Sequence, residues 1–144
     1  MDEVRTCRMF IAEDDHELRG LLATAFRRDG YEVIEAVDGP DLVDHLVRAR
    51  QNGRPVNAFD VVVSDFHMPG FSGLNLLASF NRLQWSTPFI LISAFVDAHT
   101  EQRALQLGAA AVFSKPFDLQ DLRRAVLRLF DEGKRPRPAA ATGV

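Results

Sequence analysis

Five short apolar runs alternate with helical patterns along this chain, and that alternation most narrows what it can fold into. The runs are Arg8–Ala12, Tyr31–Ala36, Phe59–Ser64, Phe89–Ile92 and Ala110–Ser114. The third, Phe59-Asp60-Val61-Val62-Val63-Ser64, is β-branched without alternation, the pattern of a strand buried on both faces. The second alternates and belongs nearer a sheet edge. Between the runs, Leu18, Leu21, Leu22, Ala25 and Phe26 recur at helical spacing, with Gly30 as a stop. After Asp38-Gly39-Pro40, Leu42, Val43, Leu46 and Val47 are predicted to face the core of a second helix. Leu74, Leu77 and Ala78, with Leu76, Phe80 and Leu83 as a second row, mark a third, and a fourth covers about Asp97 to Leu107. Asp118 caps a fifth that carries Leu119, Leu122, Val126, Leu129 and Phe130 on one face. Strands alternating with helices specify an α/β chain: a five-stranded parallel sheet, covered on both faces by right-handed crossovers.

At 144 residues there is enough chain for one such domain with a real core. Residues 1–131 are read as that domain, and residues 132–144, rich in Pro, Ala and Gly with basic residues, as a disordered tail or linker. No apolar run approaches membrane-spanning length, so no membrane association is expected. Met1-Asp2-Glu3 is acidic and leads into no apolar segment, so no secretory signal is expected. The single cysteine, Cys7, allows no internal disulfide and fits a reducing compartment, the cytoplasm. The net charge of −3, which becomes −5 without residues 132–144, argues against non-specific nucleic-acid binding. No helix-turn-helix is left unassigned, so no direct nucleic-acid partner is expected.

The polar residues that close the runs are the informative ones. Glu13 and Asp14 close the first, Asp65 the third, Ser93 the fourth and Lys115 the fifth. After Asp65, Met68-Pro69-Gly70 cannot continue a strand, which leaves Asp65 on the lip of a loop. In a sheet of order 2-1-3-4-5 these strand ends meet at one rim, where open parallel sheets bind ligands. Carboxylates about 4 Å apart repel by roughly 4 kcal/mol per pair at an effective dielectric of about 20. A hard divalent cation with oxygen ligands, Mg²⁺ first, and the Lys115 ammonium are the natural counter-charges. Such a set suits phosphoryl transfer, with an Asp65 oxygen attacking in line. Each residue alone also has an ordinary structural explanation, such as an acidic helix N-terminus for Glu13-Asp14-Asp15; five at successive strand ends do not.

Over roughly residues 8–131 the chain resembles the receiver domain of two-component response regulators. The matching pieces are Glu13-Asp14, Asp65 with Met68-Pro69-Gly70 and Gly73, Ser93-Ala94, and Lys115-Pro116-Phe117. The resemblance implies a flavodoxin-like (βα)5 fold and a signalling switch, a phosphoacceptor domain and not an enzyme with a released product. It implies that Asp65 takes a phosphoryl group from a histidine kinase or phosphotransfer protein. It also implies that Glu13, Asp14, Asp65 and the backbone carbonyl of His67 hold Mg²⁺, some through water. Ser93 and the N–H of Ala94 would bond the phosphoryl group, Lys115 would reach it from the fifth strand, and the Lys115-Pro116 peptide would be cis. Asp15 stands as the variable neighbour of the acidic pair. The output would be a changed helix 4–strand 5–helix 5 surface, with the downstream partner and a homodimer left open.

Three positions depart from the family or vary within it. The aromatic residue usual three positions before the lysine is Val112 here, and Phe113, one later, should point to the opposite face. His67 and Phe95 fall where the family flanks the hydrolytic water. The bulk of Phe95 predicts slow loss of the phosphoryl group, and a half-life of only seconds in Mg²⁺ would contradict that. His67 itself is read as an exposed loop histidine without special duty. A degenerate receiver acting as a constitutive binding module is the alternative that Val112 keeps in play. An aspartyl-phosphate hydrolase would usually need a second Asp at position 67. A flavin binder would need a Gly- and hydroxyl-rich turn in place of Glu13-Asp14-Asp15.

Overall fold

Each apolar run becomes a strand, and the register between strands decides which residues reach the rim. The computed structural model describes residues 7–51, 59–68, 71–82, 87–94 and 96–132. In chain order its elements are β1 (Arg8–Ala12), α1 (His16–Arg28), β2 (Glu32–Ala36), α2 (Gly39–Gln51), β3 (Val61–Asp65), β4 (His67–Met68), β5 (Phe71–Ser72), α3 (Gly73–Arg82), β6 (Phe89–Ser93), α4 (Ala98–Gln106), β7 (Ala111–Ser114) and α5 (Leu119–Glu132). The main sheet runs β2-β1-β3-β6-β7, and every neighbouring pair in it is parallel. Setting aside the two-residue strands β4 and β5, which pair as a small antiparallel hairpin, this is the expected order. The alternating second run is an edge strand, as its pattern implied.

Strand alternation sends side chains into two cores. Phe10, Ala12, Val62 and Leu91 point to one face and meet Leu42 of α2, Leu76 and Leu77 of α3 and Ala104 of α4. Met9, Ile11, Val61, Val63, Ile90 and Ile92 point to the other and meet Leu22 and Phe26 of α1 and Leu122, Val126 and Phe130 of α5. All five residues of β3 and all five of β6 are buried, which explains their unbroken apolar runs. Each large side chain so buried contributes about 1.5–3 kcal/mol.

Two helix faces differ from the expectation. Val43 and Val47 of α2 are 42% and 45% exposed, and Leu21 of α1 is 57% exposed. The inward line of α2 is instead Gly39, Leu42 and His45, whose ring stands edge-on to Phe10 at 5.3 Å. Val43 lies one residue, about 100°, beyond that line and turns outward. Leu21 likewise lies off the buried line of Arg19, Leu22, Ala23 and Phe26, one residue, about 100°, before Leu22. The side chains of Leu46 and Phe80, and residues Leu83 and Trp85, fall outside the described residues, as do residues 133–144 of the expected tail. The last helix itself runs to Glu132.

Register then levels the strand ends. Ala12 pairs with Ser64 and Asp65 with Ile92, so Glu13 and Asp65 stand at the same height and Ser93 one step beyond. Ser93 pairs with Ser114, which puts Lys115 just past the end of β7. The Lys115-Pro116 peptide is cis, as expected.

Candidate phosphoacceptor and cation site

The rim is held together by Lys115. Its Nζ donates to Glu13 Oε1 at 2.7 Å and to Asp65 Oδ2 at 2.8 Å, so one ammonium bridges the ends of β1 and β3. Glu13 is fully buried and Asp65 is 5% exposed, whereas Asp14 opens to solvent. The remaining oxygens also have donors: Glu13 Oε2 accepts from the Asp15 N–H at 3.1 Å and Asp65 Oδ1 from the His67 N–H at 3.0 Å. The turn after β1 enters α1 through Asp15, whose side chain caps the Glu17 and Leu18 N–H groups. After β3 the chain is pinned by Phe66 N–H to Ile92 O (2.7 Å) and Gly73 N–H to Phe66 O (2.8 Å). Lys115 N–H donates to Ser93 O at 2.7 Å, tying the lysine's backbone to the strand that ends on the hydroxyl.

Glu13, Asp14 and Asp65 can each offer an oxygen such that all three lie within 4.8 Å of one another. Three carboxylate oxygens with one ligand open to water fit a hard, oxygen-loving dication such as Mg²⁺. Burial drives the Glu13 carboxyl upward, Lys115 opposes this and neighbouring Asp65 adds to it, leaving it at about 7 against an ordinary 4.5. Burial works to lower Lys115, but its bonds to Asp65 and Glu13 outweigh this and hold the ammonium above its usual range. A carboxyl raised in the folded state binds a proton that the unfolded chain has released. Its penalty is therefore absent below about pH 4.5, grows as pH rises to about 7, and is then constant. Metal-free protein should lose stability over that interval, and Glu13→Gln should flatten the slope in urea melts taken at pH 5, 6, 7 and 8.

The predicted residues fall as follows. Glu13, Asp14, Asp65 and Lys115 meet directly, and Ser93 is buried at the end of β6 on the same rim. Ala94 follows it in an exposed bend. His67 is exposed, on β4 and not in a loop, with its ring 4.7 Å from that of Phe66. Val112 packs with the α2–α3–α4 core and Phe113 with the α1–α5 core, where its ring lies 6.0 Å from Phe117, so the aromatic side chain does face away. Pro69, Gly70 and Phe95 lie outside the described residues. Sequence reasoning missed Arg19, which donates to the Glu13 carbonyl at 2.9 Å. Its signal was a cation on the inward line of an otherwise apolar helix face.

Comparison with known proteins agrees with this geometry. Residues 9–127 match the family described as response regulator receiver domain. The chain is 28% identical over 119 residues to sporulation initiation phosphotransferase F of Bacillus subtilis, covering 83% of this chain and 90% of that one. It is 38% identical over 115 residues to the transcriptional activator protein PfeR of Pseudomonas aeruginosa, covering 80% of this chain but 35% of that protein. It spans about half the length of several further regulators. Among solved structures, the receiver domain of the Francisella response regulator 1452 superimposes with a TM-score of 0.77 at 26% identity, covering 89% of this chain and 99% of that one. The chain belongs to the response regulator receiver domain family.

Proposed function

We propose that this chain is a phosphorylation-gated switch of a two-component system, in which Asp65 accepts a phosphoryl group from a histidine kinase or phosphotransfer protein. The observation that carries this reading is the Lys115 ammonium bound to Asp65 beside two further carboxylates, one of them open to solvent. In the transfer, an Asp65 carboxylate oxygen attacks phosphorus, an O–P bond forms, and the N–P bond of the donor phosphohistidine breaks with its electron pair returning to the imidazole. Mg²⁺, held by Glu13, Asp14, Asp65 and the His67 carbonyl, would supply charge neutralisation at the phosphoryl oxygens. Lys115 would leave its carboxylate partners for a phosphoryl oxygen, and the Ser93 hydroxyl and Ala94 N–H would donate to the others. The acyl phosphate stays on the chain, so the chemistry is self-directed and the protein acts as a regulator in the cytoplasm.

The output surface in this reading is the α4–β7–α5 face. Exposed Leu105 of α4 and Leu127 of α5 offer apolar contact for a protein partner or a second copy. Val112, in place of an aromatic, favours one second reading, a binding module whose output does not depend on phosphorylation. Intact mass after incubation with acetyl phosphate separates the two. The switch predicts one phosphoryl adduct that needs Mg²⁺ and disappears with EDTA or in Asp65→Asn. A folded protein that binds Mg²⁺ and gains no adduct supports the module, and steady phosphate release over many turnovers supports a hydrolase.

A further inference from the structure

We propose that Arg19 is a positioning residue of the cation pocket: its guanidinium holds the Glu13 carbonyl and thereby fixes the turn from which Glu13 and Asp14 aim their carboxylates. This rests on the reading of Glu13, Asp14 and Asp65 as a Mg²⁺ site. Arg19 is only 9% exposed, on the inward line of α1, where a cation is costly unless its donors are satisfied. They are distributed over three elements. Nη1 donates to Glu13 O at 2.9 Å, Nη2 meets His16 Nδ1 at 3.1 Å, and Nε faces Glu35 Oε1 of β2 at 3.4 Å. The second Glu35 oxygen is held by Arg27 at 3.1 Å, and Arg27 in turn donates to the Val33 carbonyl at 3.0 Å.

A simple ion pair with Glu35 does not account for this placement. The Glu35 contact is the longer one, to a carboxylate that is 32% exposed, whereas the bond to the Glu13 carbonyl is short and buried. Glu13 is thereby held on both sides, its N–H donating to Ala36 O at 3.1 Å and its carbonyl accepting from Arg19. Asp14, the next residue, is exposed, so the direction of its side chain depends on the backbone of this turn. A planar fork can span the carbonyl and the carboxylate at once, and a lysine presents a single point of donors.

The test is calorimetric titration of MgCl₂ into the full chain, with thermal melts in EDTA for every variant. Arg19→Met should weaken Mg²⁺ binding about 10–100-fold, the usual cost of losing a group that orients metal ligands. Arg19→Lys should recover part of the loss. Phe130→Leu, a core change far from the turn, should lower the melting temperature and leave the Mg²⁺ affinity unchanged. Wild-type protein that binds Mg²⁺ with Arg19→Met binding equally well would overturn the positioning role alone. Wild-type protein that binds no Mg²⁺ would overturn the metal-site reading and this role with it. Should Arg19→Met not fold, Arg19→Lys decides: several-fold weaker binding upholds the role, and wild-type affinity overturns it.

Discussion

Lys115→Met should slow phosphorylation by a small-molecule donor about 100-fold, the scale of removing one fixed donor from developing oxyanion charge, while Mg²⁺ binds more tightly. The two effects have opposite signs because Lys115 and the cation answer to the same carboxylates. The ammonium lies 2.7 Å from Glu13 and 2.8 Å from Asp65, so it would compete with a dication for both carboxylates. Removing it leaves two buried carboxylates facing each other, so metal-free Lys115→Met should melt earlier than the parent and regain more stability on adding Mg²⁺. In the proposed transfer the same ammonium, already bound to Asp65, would follow the negative charge from that carboxylate to the phosphoryl oxygens. Adduct formation followed by mass, beside a Mg²⁺ titration, reads both effects. Equal rates of phosphorylation in the two proteins would remove Lys115 from the transfer step.

Gly73→Ala should destabilise the fold by about 1–3 kcal/mol, the range for forcing a methyl group into filled space, and impair phosphorylation with it. A Cβ at Gly73 would stand 3.1 Å from the Asp65 carbonyl oxygen, from Leu91 Cδ2 and from Phe66 Cα. Two of those three atoms are backbone of the segment that presents the Asp65 carboxylate, and Gly73 N–H is already bonded to Phe66 O at 2.8 Å. The added methyl can be accommodated only by moving Asp65 or the start of α3. Gly20→Ala is the matched contrast. Gly20 lies inside α1 with open space where a Cβ would go, so alanine there should stabilise by about 0.5–1 kcal/mol through helix propensity. Chemical denaturation of the two variants beside wild type should therefore move in opposite directions.

The site was legible in the sequence because a parallel sheet gathers the carboxyl ends of its strands. Once the apolar runs are identified, Glu13, Asp14, Asp65, Ser93 and Lys115 must share a rim, and register alone brings Glu13 level with Asp65. The strands were legible for a related reason: β3 and β6 are buried on both faces, so their composition admits little else. Helix orientation was less legible. α2 offers more apolar residues than its inward line can bury, and periodicity does not say that Leu42 goes in while Val43 and Val47 stay out. The β4–β5 hairpin, two residues on each side, is too short to leave a periodic trace. Arg19 was missed because an arginine in a helical pattern reads as a solvated charge until its bond to a buried carbonyl is seen. Phe113 shows the pattern working: alternation alone put it on the face opposite Val112, and it packs there.

The most direct test of the account is to locate the phosphoryl group chemically. An acyl phosphate is a mixed anhydride that borohydride reduces to an alcohol, which converts a phosphorylated aspartate into homoserine. Protein treated with acetyl phosphate and Mg²⁺, reduced, digested and sequenced by mass should carry homoserine at position 65 and nowhere else, with none in samples prepared in EDTA. Homoserine at another aspartate, or a phosphoryl group found on Ser93 or His67 with residue 65 unchanged, would contradict the assignment of Asp65 as the acceptor.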